Sequence, residues 1–165
     1  MYGSDEVRAL GPVLFIVAAA IAVALAAPIP VLTIGYGTRQ ATFWLDEDQT
    51  YVLSYVSSLY GAPVEELHYR KGDRLMVASV RSPDIRAVEY FRWESRIYQL
   101  DDKYVQFAPP NGVARLSIQV TPAYQLRIAT AHRAIDLGEV FGETRVEVAP
   151  QRLPVLTALL FGWRP

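Results

Sequence analysis

Residues 51–80 read YVLSYVSSLYGAPVEELHYRKGDRLMVASV, and this stretch decides the fold class. It contains three candidate strands, Tyr51–Leu59, Val64–Tyr69 and Leu75–Val80. All three are rich in the β-branched and aromatic side chains that suit a pleated surface. Turn signals separate them, such as Lys71-Gly72-Asp73 between the second and the third. The stretch therefore predicts consecutive strands joined as antiparallel hairpins.

The chain on the carboxyl side continues the same pattern. Polar and apolar residues alternate in Leu116–Val120 and Arg145–Val148, and Asn111-Gly112 and Asp101-Asp102-Lys103 are typical of hairpin turns. Further candidate strands are Ala87–Trp93, Arg96–Leu100, Tyr104–Phe107 and residues 125–128. Since no crossover helix is visible, we expect an all-β fold, an antiparallel β-sandwich or barrel-like domain over residues 31–152.

An apolar segment precedes this domain. Residues 10–27 read LGPVLFIVAAAIAVALAA, and no charged residue lies between Arg8 and Arg39. The pattern predicts, after an N-terminal tail of residues 1–9, one transmembrane helix over residues 10–30 that acts as an uncleaved signal anchor. A removable signal peptide with a cleavage site at Ala24-Leu25-Ala26 is the alternative, and a helix buried in a soluble fold is a third interpretation.

The anchor is favoured because the flank Asp5-Glu6-Val7-Arg8 has two acids and one base, which is a poor signal-peptide start. Because a short N-terminal tail usually stays inside, we expect a single-pass protein of the cell membrane with its domain outside the cytoplasm. The C-terminal tail of residues 153–165 is apolar again. It is interpreted as a last packed element or as a segment resting on the membrane surface.

Composition excludes several classes of site. The net charge of −1 provides no basic surplus, so no nucleic-acid partner is expected. There is no cysteine, and the two histidines, His68 and His132, lie far apart without a metal-binding spacing. The sequence therefore predicts no metal site, no cofactor and no catalytic residue set, and hence a protein that is not an enzyme.

One local group of polar residues remains. In an extended segment Val64, Glu66, His68 and Arg70 share a face, because side chains alternate. A carboxylate two residues from an imidazole can orient the ring, which gives the hypothesis of a hydrolase that uses Glu66 and His68. The favoured interpretation is a polar outer strand face.

The segment Tyr51–Tyr69 resembles the domain-of-unknown-function family numbered eighteen-fifty. Its members have an apolar N-terminal segment, a proline-containing link (here Pro28-Ile29-Pro30), a strand ending in a His-Ser-Val-like triplet and a Pro-Val-x-Glu element. The triplet reads Ser57-Ser58-Leu59 in this chain, so Ser57 replaces the usual histidine. The later element is intact as Pro63-Val64-Glu65-Glu66.

The resemblance implies that the binding or structural motif consists of Ser57, Ser58, Pro63, Val64 and Glu66. The preferred role is structural, with Ser58 and Glu66 hydrogen-bonded across the bend that precedes the second strand. Such proteins are similar in setting to accessory partners of TRAP-type solute transporters of the TAXI kind. The expected partners are therefore membrane lipid and TRAP transporter subunits, with the oligomeric state open.

These observations predict a non-enzymatic, membrane-anchored extracytoplasmic β-domain that is an accessory or partner-binding protein of a membrane solute transporter. Two alternatives stay open. One is a subunit of a pilin-like filament or surface layer, because an apolar N-terminal helix ahead of a sheet domain suits both. The other is the hydrolase that uses Glu66 and His68.

Overall fold

The computed structural model describes residues 4–46 and 49–161, with side chains described from residue 13 to residue 160. The helices are α1 (Ser4–Ala26), α2 (Ile85–Glu89), α3 (Leu137–Phe141) and α4 (Val155–Phe161), with a 3-10 turn at Pro122–Tyr124. The strands are β1 (Pro28–Tyr36), β2 (Arg39–Trp44), β3 (Thr50–Val56), β4 (Pro63–Lys71), β5 (Arg74–Ser82), β6 (Ile97–Leu100), β7 (Lys103–Phe107), β8 (Gly112–Val113), β9 (Leu116–Val120), β10 (Arg127–Ala129), β11 (Ala134–Asp136) and β12 (Thr144–Pro154).

The strands form two antiparallel sheets. The smaller sheet has the order β2-β1-β12-β9. The larger sheet has the order β11-β10-β3-β4-β5-β7-β6, with β8 paired to β5. The all-β prediction is confirmed, and the two sheets share one core as the layers of a sandwich do.

The main core lies between the sheets. Leu32 and Ile34 of β1 belong to the same buried cluster as Tyr51 and Leu53 of β3 and Ile128 of β10. Residues at alternate positions of each strand supply this cluster, because a pleated strand sends every second side chain to one face.

A second, smaller core covers another part of the larger sheet. Val64 of β4 and Val80 of β5 are buried there together with Ala87 and Val88 of α2. Residues 87–93 were expected to form a strand, and this prediction is wrong. Asp84 caps α2 by accepting a hydrogen bond from the backbone N–H of Arg86 at 3.0 Å. Two adjacent buried residues suit a helix packed on the sheet rather than an alternating strand.

The turn predictions have mixed outcomes. Lys71-Gly72-Asp73 joins β4 to β5 as predicted, with Gly72 at φ 62°, and Asp101 at φ 54° turns the chain between β6 and β7. The prediction of a hairpin turn at Asn111-Gly112 is wrong, because Gly112 lies in β8 and pairs with Met76 of β5. The next strand, β9, belongs to the smaller sheet instead.

The N-terminal helix ends earlier than predicted. Helix α1 stops at Ala26, and residues 28–30, which were assigned to the membrane segment, begin β1 and pair with residues 152–154 of β12. Pairing of β1 with β2 begins only at Val31. The prolines at 28 and 30 therefore lie where β1 has one neighbour, and their missing N–H groups interrupt no second ladder.

The C-terminal tail is a strand end followed by a helix. Leu153 and Pro154 complete β12, and α4 packs beside α1, β1 and β2. The backbone N–H of Val155 donates to the carbonyl of Ala27 at 3.1 Å, which joins the starts of α4 and β1. Residues 162–165 of the predicted tail lie outside the described residues.

Helix α1 exposes most of the apolar side chains that the structure describes from residue 13 onward. Seven large ones are between 49% and 76% exposed, namely Val13, Leu14, Phe15, Ile16, Val17, Ile21 and Val23. Leu156, Leu159 and Leu160 of α4 are about half exposed or more, and so is Trp44 at the end of β2. We call α1, α4 and Trp44 the helical end. In the described part of the chain, none of the helices combines the length and the apolar character that crossing a membrane requires.

Candidate functional site

The polar group of β4 lies on the inner face of the larger sheet. Glu66 pairs with Leu53 of β3 and Val80 of β5, and His68 pairs with Tyr51. Directly opposite residues share a face, so the core residues on the neighbouring strands fix the direction of Glu66 and His68. His68 is 2% exposed. The interpretation of a polar outer face is therefore wrong, because alternation alone does not say which face is buried.

The Glu66 carboxylate accepts two side-chain hydrogen bonds. The Tyr55 hydroxyl donates to Oε1 at 2.8 Å, and Nε2 of His68 lies 3.0 Å from Oε2. An ionised carboxylate only accepts, so His68 donates to it through Nε2. The Glu66 side chain is 14% exposed, which leaves it in contact with solvent on one side. These contacts hold the carboxylate in a fixed orientation with acceptor capacity to spare.

The imidazole is packed on a tyrosine. The rings of Tyr51 and His68 stack with centroids 4.9 Å apart and an interplanar angle of 15°. Nδ1 of His68 and the Tyr51 hydroxyl are buried without a hydrogen-bond partner in the structure. His68 therefore has its free nitrogen inside the protein and its bonded nitrogen towards Glu66.

Both tyrosines beside Glu66 resist ionisation. Burial, followed by the negative charge of Glu66, raises the pKa of Tyr51 well above its ordinary value. Burial also raises the pKa of Tyr55, and the charge of Glu66 and the hydrogen bond to it add to the effect. Both phenols thus stay neutral at physiological pH, and of the two only the Tyr55 hydroxyl donates to Glu66.

Glu66 opens into a cavity of about 310 Å³ between the two sheets, which we call the Glu66 cavity. Its wall combines apolar and polar side chains. The apolar members are Leu53, Val56, Leu116, Ile118, Tyr124 and Leu126. The polar members are Tyr55, Ser58, Glu66, Ser117 and Gln119. Glu66 is the one Asp, Glu, Lys, Arg or His among these lining residues, so the cavity presents a carboxylate within a mainly apolar wall.

The structure separates the residues of the predicted motif. The bend after β3 is closed by the main chain, since the Ser57 N–H donates to the Ala62 carbonyl at 2.8 Å and the Gly61 N–H donates to the Ser57 carbonyl at 2.9 Å. Ser58 lines the Glu66 cavity, and Val64 is buried in the second core.

Pro63 begins β4 opposite Val56. The predicted hydrogen bond of Glu66 to Ser58 is replaced by the bonds to Tyr55 and His68.

Sequence reasoning missed the two tyrosines. Tyr51 and Tyr55 lie on β3, and the register of the β3–β4 pair places them opposite His68 and Val64. A signal was present, because once 51–69 is treated as an antiparallel pair, alternate residues of the first strand must line the same face as Glu66.

The neighbouring carboxylate, Glu65, has a different environment. It pairs with Ser54 and Arg81 on the opposite face, where Arg81 and Lys103 both contact its Oε2 atom, the latter at 3.2 Å. Partial burial alone raises the pKa of Glu65, but the hydrogen bonds from Lys103 and Arg81 outweigh it and hold the pKa below its ordinary value. Glu65 is therefore paired with two cationic side chains. Glu66, in contrast, accepts its hydrogen bonds from a neutral phenol and an imidazole.

The described residues contain no group of three or more His, Cys, Asp or Glu side chains that could hold a metal ion. No family model, curated protein or solved structure matches the chain. The resemblance of residues 51–69 to the family numbered eighteen-fifty stays a prediction.

Proposed function

We propose that this protein is a membrane-attached binding domain, held at a lipid surface by its helical end and exposing its sheets outside the cytoplasm to a membrane partner. The observation that carries the proposal is the exposure of seven large apolar side chains on α1. Soluble monomeric proteins rarely leave such a contiguous apolar surface in water.

Lipid is the occupant that fits the surface. Val13 to Val23 project all around α1, so no single packing stripe would cover them. Burying a large aliphatic or aromatic side chain is worth about 1.5–3 kcal/mol, and seven of them together are worth on the order of 10 kcal/mol. Acyl chains at the lipid surface provide the apolar environment that these side chains lack in water.

The helical end continues beyond α1. A groove of about 270 Å³ lies between α4, β2 and the β10–β11 turn, and its lining includes Trp44, His132, Arg133 and Leu159. Aromatic and basic side chains next to apolar ones are typical of the level of lipid headgroups. This arrangement supports a membrane-proximal position for the α4 side of the domain.

Attachment is tested by flotation of the full-length chain with vesicles of phosphatidylcholine and phosphatidylglycerol. We expect the unaltered chain to float with the vesicles. The double variant Phe15→Glu, Val23→Glu should lose at least about a hundredfold in vesicle affinity, because each change removes a large apolar side chain whose burial is worth about 1.5–3 kcal/mol.

A matched control is Leu59→Glu with Leu100→Glu, which makes the same change at exposed apolar positions of the sheet domain. The control should float like the unaltered chain. The proposal is contradicted if the unaltered chain does not float with the vesicles. It is also contradicted if the helix variant floats as well as the unaltered chain. Filaments seen by electron microscopy in the lipid-free sample would favour the pilin-like alternative instead.

The partner is proposed from the resemblance alone, as the subunits of a TRAP-type transporter. Co-purification of the tagged full-length chain from native membranes tests it. Recovery of transporter subunits with the chain supports this partner, and recovery of the chain as a lone monomer counts against it.

The hydrolase alternative is favoured by one observation, the 3.0 Å contact of His68 with Glu66. A general base needs its accepting atom next to the substrate. Here the unbonded nitrogen of His68 is buried, and the cavity is reached by Glu66 rather than by the imidazole. We therefore favour binding. A hydrolytic activity that Glu66→Gln abolishes would reverse this preference.

A further inference from the structure

We propose that the Glu66 cavity binds a small organic cation, a primary alkylammonium whose charged group contacts the Glu66 carboxylate and whose apolar body lies on Leu116, Ile118 and Leu126. The inference goes beyond membrane attachment and does not rest on it, because the cavity lies at a different part of the sandwich from α1.

The charge of the site selects a cation. Glu66 faces a cavity whose lining has no Lys, Arg or His, and the nearby cations Arg81 and Lys103 are bonded to Glu65 on the other face of the sheet. Hydrogen bonds from Tyr55 and His68 fix each oxygen of Glu66. A carboxylate has about four lone-pair positions, so two acceptor positions remain for a ligand.

An ammonium group fits this acceptor better than a neutral donor does. It supplies three N–H donors and a full charge, and hydrogen bonds between two charged groups are about twice as strong as neutral ones. The Glu66 orientation is set before binding, which reduces the entropy lost when the ligand is held.

The rest of the cavity selects the body of the ligand. Its volume of about 310 Å³ is at the lower end of small-molecule sites, and its apolar residues come from both sheets. Ser58 and Gln119 lie among the lining residues as neutral polar groups. A short alkyl chain with one terminal ammonium satisfies both the apolar wall and the carboxylate.

The test is calorimetric titration of the full-length chain, kept in a nonionic detergent, with hexylammonium, hexanol and hexanoate, each corrected with a protein-free detergent blank. We expect saturable binding of hexylammonium, and at least about tenfold weaker binding of hexanol and hexanoate. Glu66→Gln should weaken hexylammonium binding at least tenfold. The matched control Glu65→Gln, one residue away on the opposite face, should leave it unchanged.

A second variant keeps the test independent of the Glu66 contacts. Ser58→Lys places a resident ammonium in the cavity from an exposed position, and it should reduce hexylammonium binding while Tyr55 and His68 keep their acceptor. Folding of each variant is checked by circular dichroism, and if Glu66→Gln is unfolded, Ser58→Lys decides.

Several results would overturn the inference. They are the absence of saturable hexylammonium binding, equal binding of hexanol, full binding by a folded Glu66→Gln variant, or full binding by Ser58→Lys. The same chemistry is present in a lysine side chain of a protein partner. A lysine-containing peptide that binds more tightly than hexylammonium, and loses binding on Nε-acetylation, would assign the ammonium to that source; equal or weaker binding assigns it to a free amine.

Discussion

The helical end and the Glu66 cavity are opposite cases of side chains outside their usual environment. At the helical end, large apolar side chains such as Phe15 and Val23 are 76% and 72% exposed. At the cavity, a carboxylate is directed inward and is only 14% exposed. Exposed apolar side chains are stabilised by an apolar environment. An inward carboxylate is stabilised by hydrogen-bond donors, which the protein itself supplies through Tyr55 and His68.

The two regions are also separated in space. Strand β1 leaves α1 at Pro28, and its Ile34 pairs with Val148, which in turn pairs with Leu116 of the cavity wall. Six residues of strand at about 3.3 Å each span about 20 Å. If lipid covers α1, the cavity faces the aqueous side, so the two regions can be tested separately.

The largest effect on stability is expected at Glu66. Glu66→Ala removes the acceptor of the Tyr55 hydroxyl and of His68 Nε2, and partly buried donors left without a partner cost about 1–3 kcal/mol each. We expect a loss of about 2–6 kcal/mol in the free energy of unfolding, measured by urea denaturation. Glu65→Ala, as the control, should lose less than about 1 kcal/mol, and an equal loss for both variants would show that the inner position is not special.

The next effect is a loss of stability at alkaline pH. The pKa values of Tyr51 and Tyr55 are raised in the folded state, so their contribution is fully present below the ordinary tyrosine pKa of about 10 and is lost as the pH rises above it. Above pH 10, each tyrosine whose pKa is raised should lower the free energy of unfolding by about 1.4 kcal/mol per pH unit.

Urea midpoints between pH 8 and pH 11 measure this loss. The double variant Tyr51→Phe, Tyr55→Phe should have a shallower pH dependence than the unaltered chain. Ultraviolet titration that shows every tyrosine ionising near pH 10 in the folded protein would contradict the description of the inner face.

A smaller effect is expected at acidic pH on the outer face. The pKa of Glu65 is lowered, so the stabilisation that Lys103 and Arg81 provide is present above the ordinary glutamate pKa and is lost as the pH falls through the folded value. Between pH 6 and pH 3 the unaltered chain should lose up to about 1 kcal/mol more than Glu65→Gln. Parallel pH profiles for the two proteins would show that the contacts of Glu65 with Lys103 and Arg81 do not stabilise the folded state.

The smallest effect is expected at the helical end. Phe15→Glu with Val23→Glu should change the free energy of unfolding of the lipid-free sheet domain by less than about 0.5 kcal/mol, because these side chains are mostly exposed. Denaturation is followed by the fluorescence of Trp93, which packs on the second core, in a background in which the other two tryptophans are replaced by Phe. A loss of several kcal/mol would mean that α1 is covered by protein, and the comparison of the two regions would fail.

Much of the fold could be predicted from the sequence because strand periodicity is local. Residues 51–80 form β3, β4 and β5 in the expected antiparallel order, and Leu116–Val120 forms β9. The helix does end just before Pro28, at Ala26, but residues 28–30, which were assigned to the membrane segment, instead begin β1, which pairs with a strand more than a hundred residues away.

Glu66 and His68 of the candidate site were predictable from the sequence, whereas the tyrosines beside them and the face of the sheet on which they lie were not. The spacing of Glu66 and His68 indicated a shared face, and the structure places them 3.0 Å apart. Whether that face is inner or outer depends on the strands beside it, which sequence alternation does not specify. The cavity depends on the approach of Leu116 and Tyr124, which are far from Glu66 in the chain.

The most direct measurement of lipid contact at the helical end is fluorescence quenching by brominated acyl chains. In a full-length chain whose three native tryptophans are replaced by Phe, Phe15→Trp places a single fluorophore on α1, and Leu59→Trp places one on the sheet domain. We expect vesicles with brominated lipid to quench strongly at position 15 and not at position 59. Equal quenching at both positions, or none at position 15, would contradict the central claim that lipid covers α1.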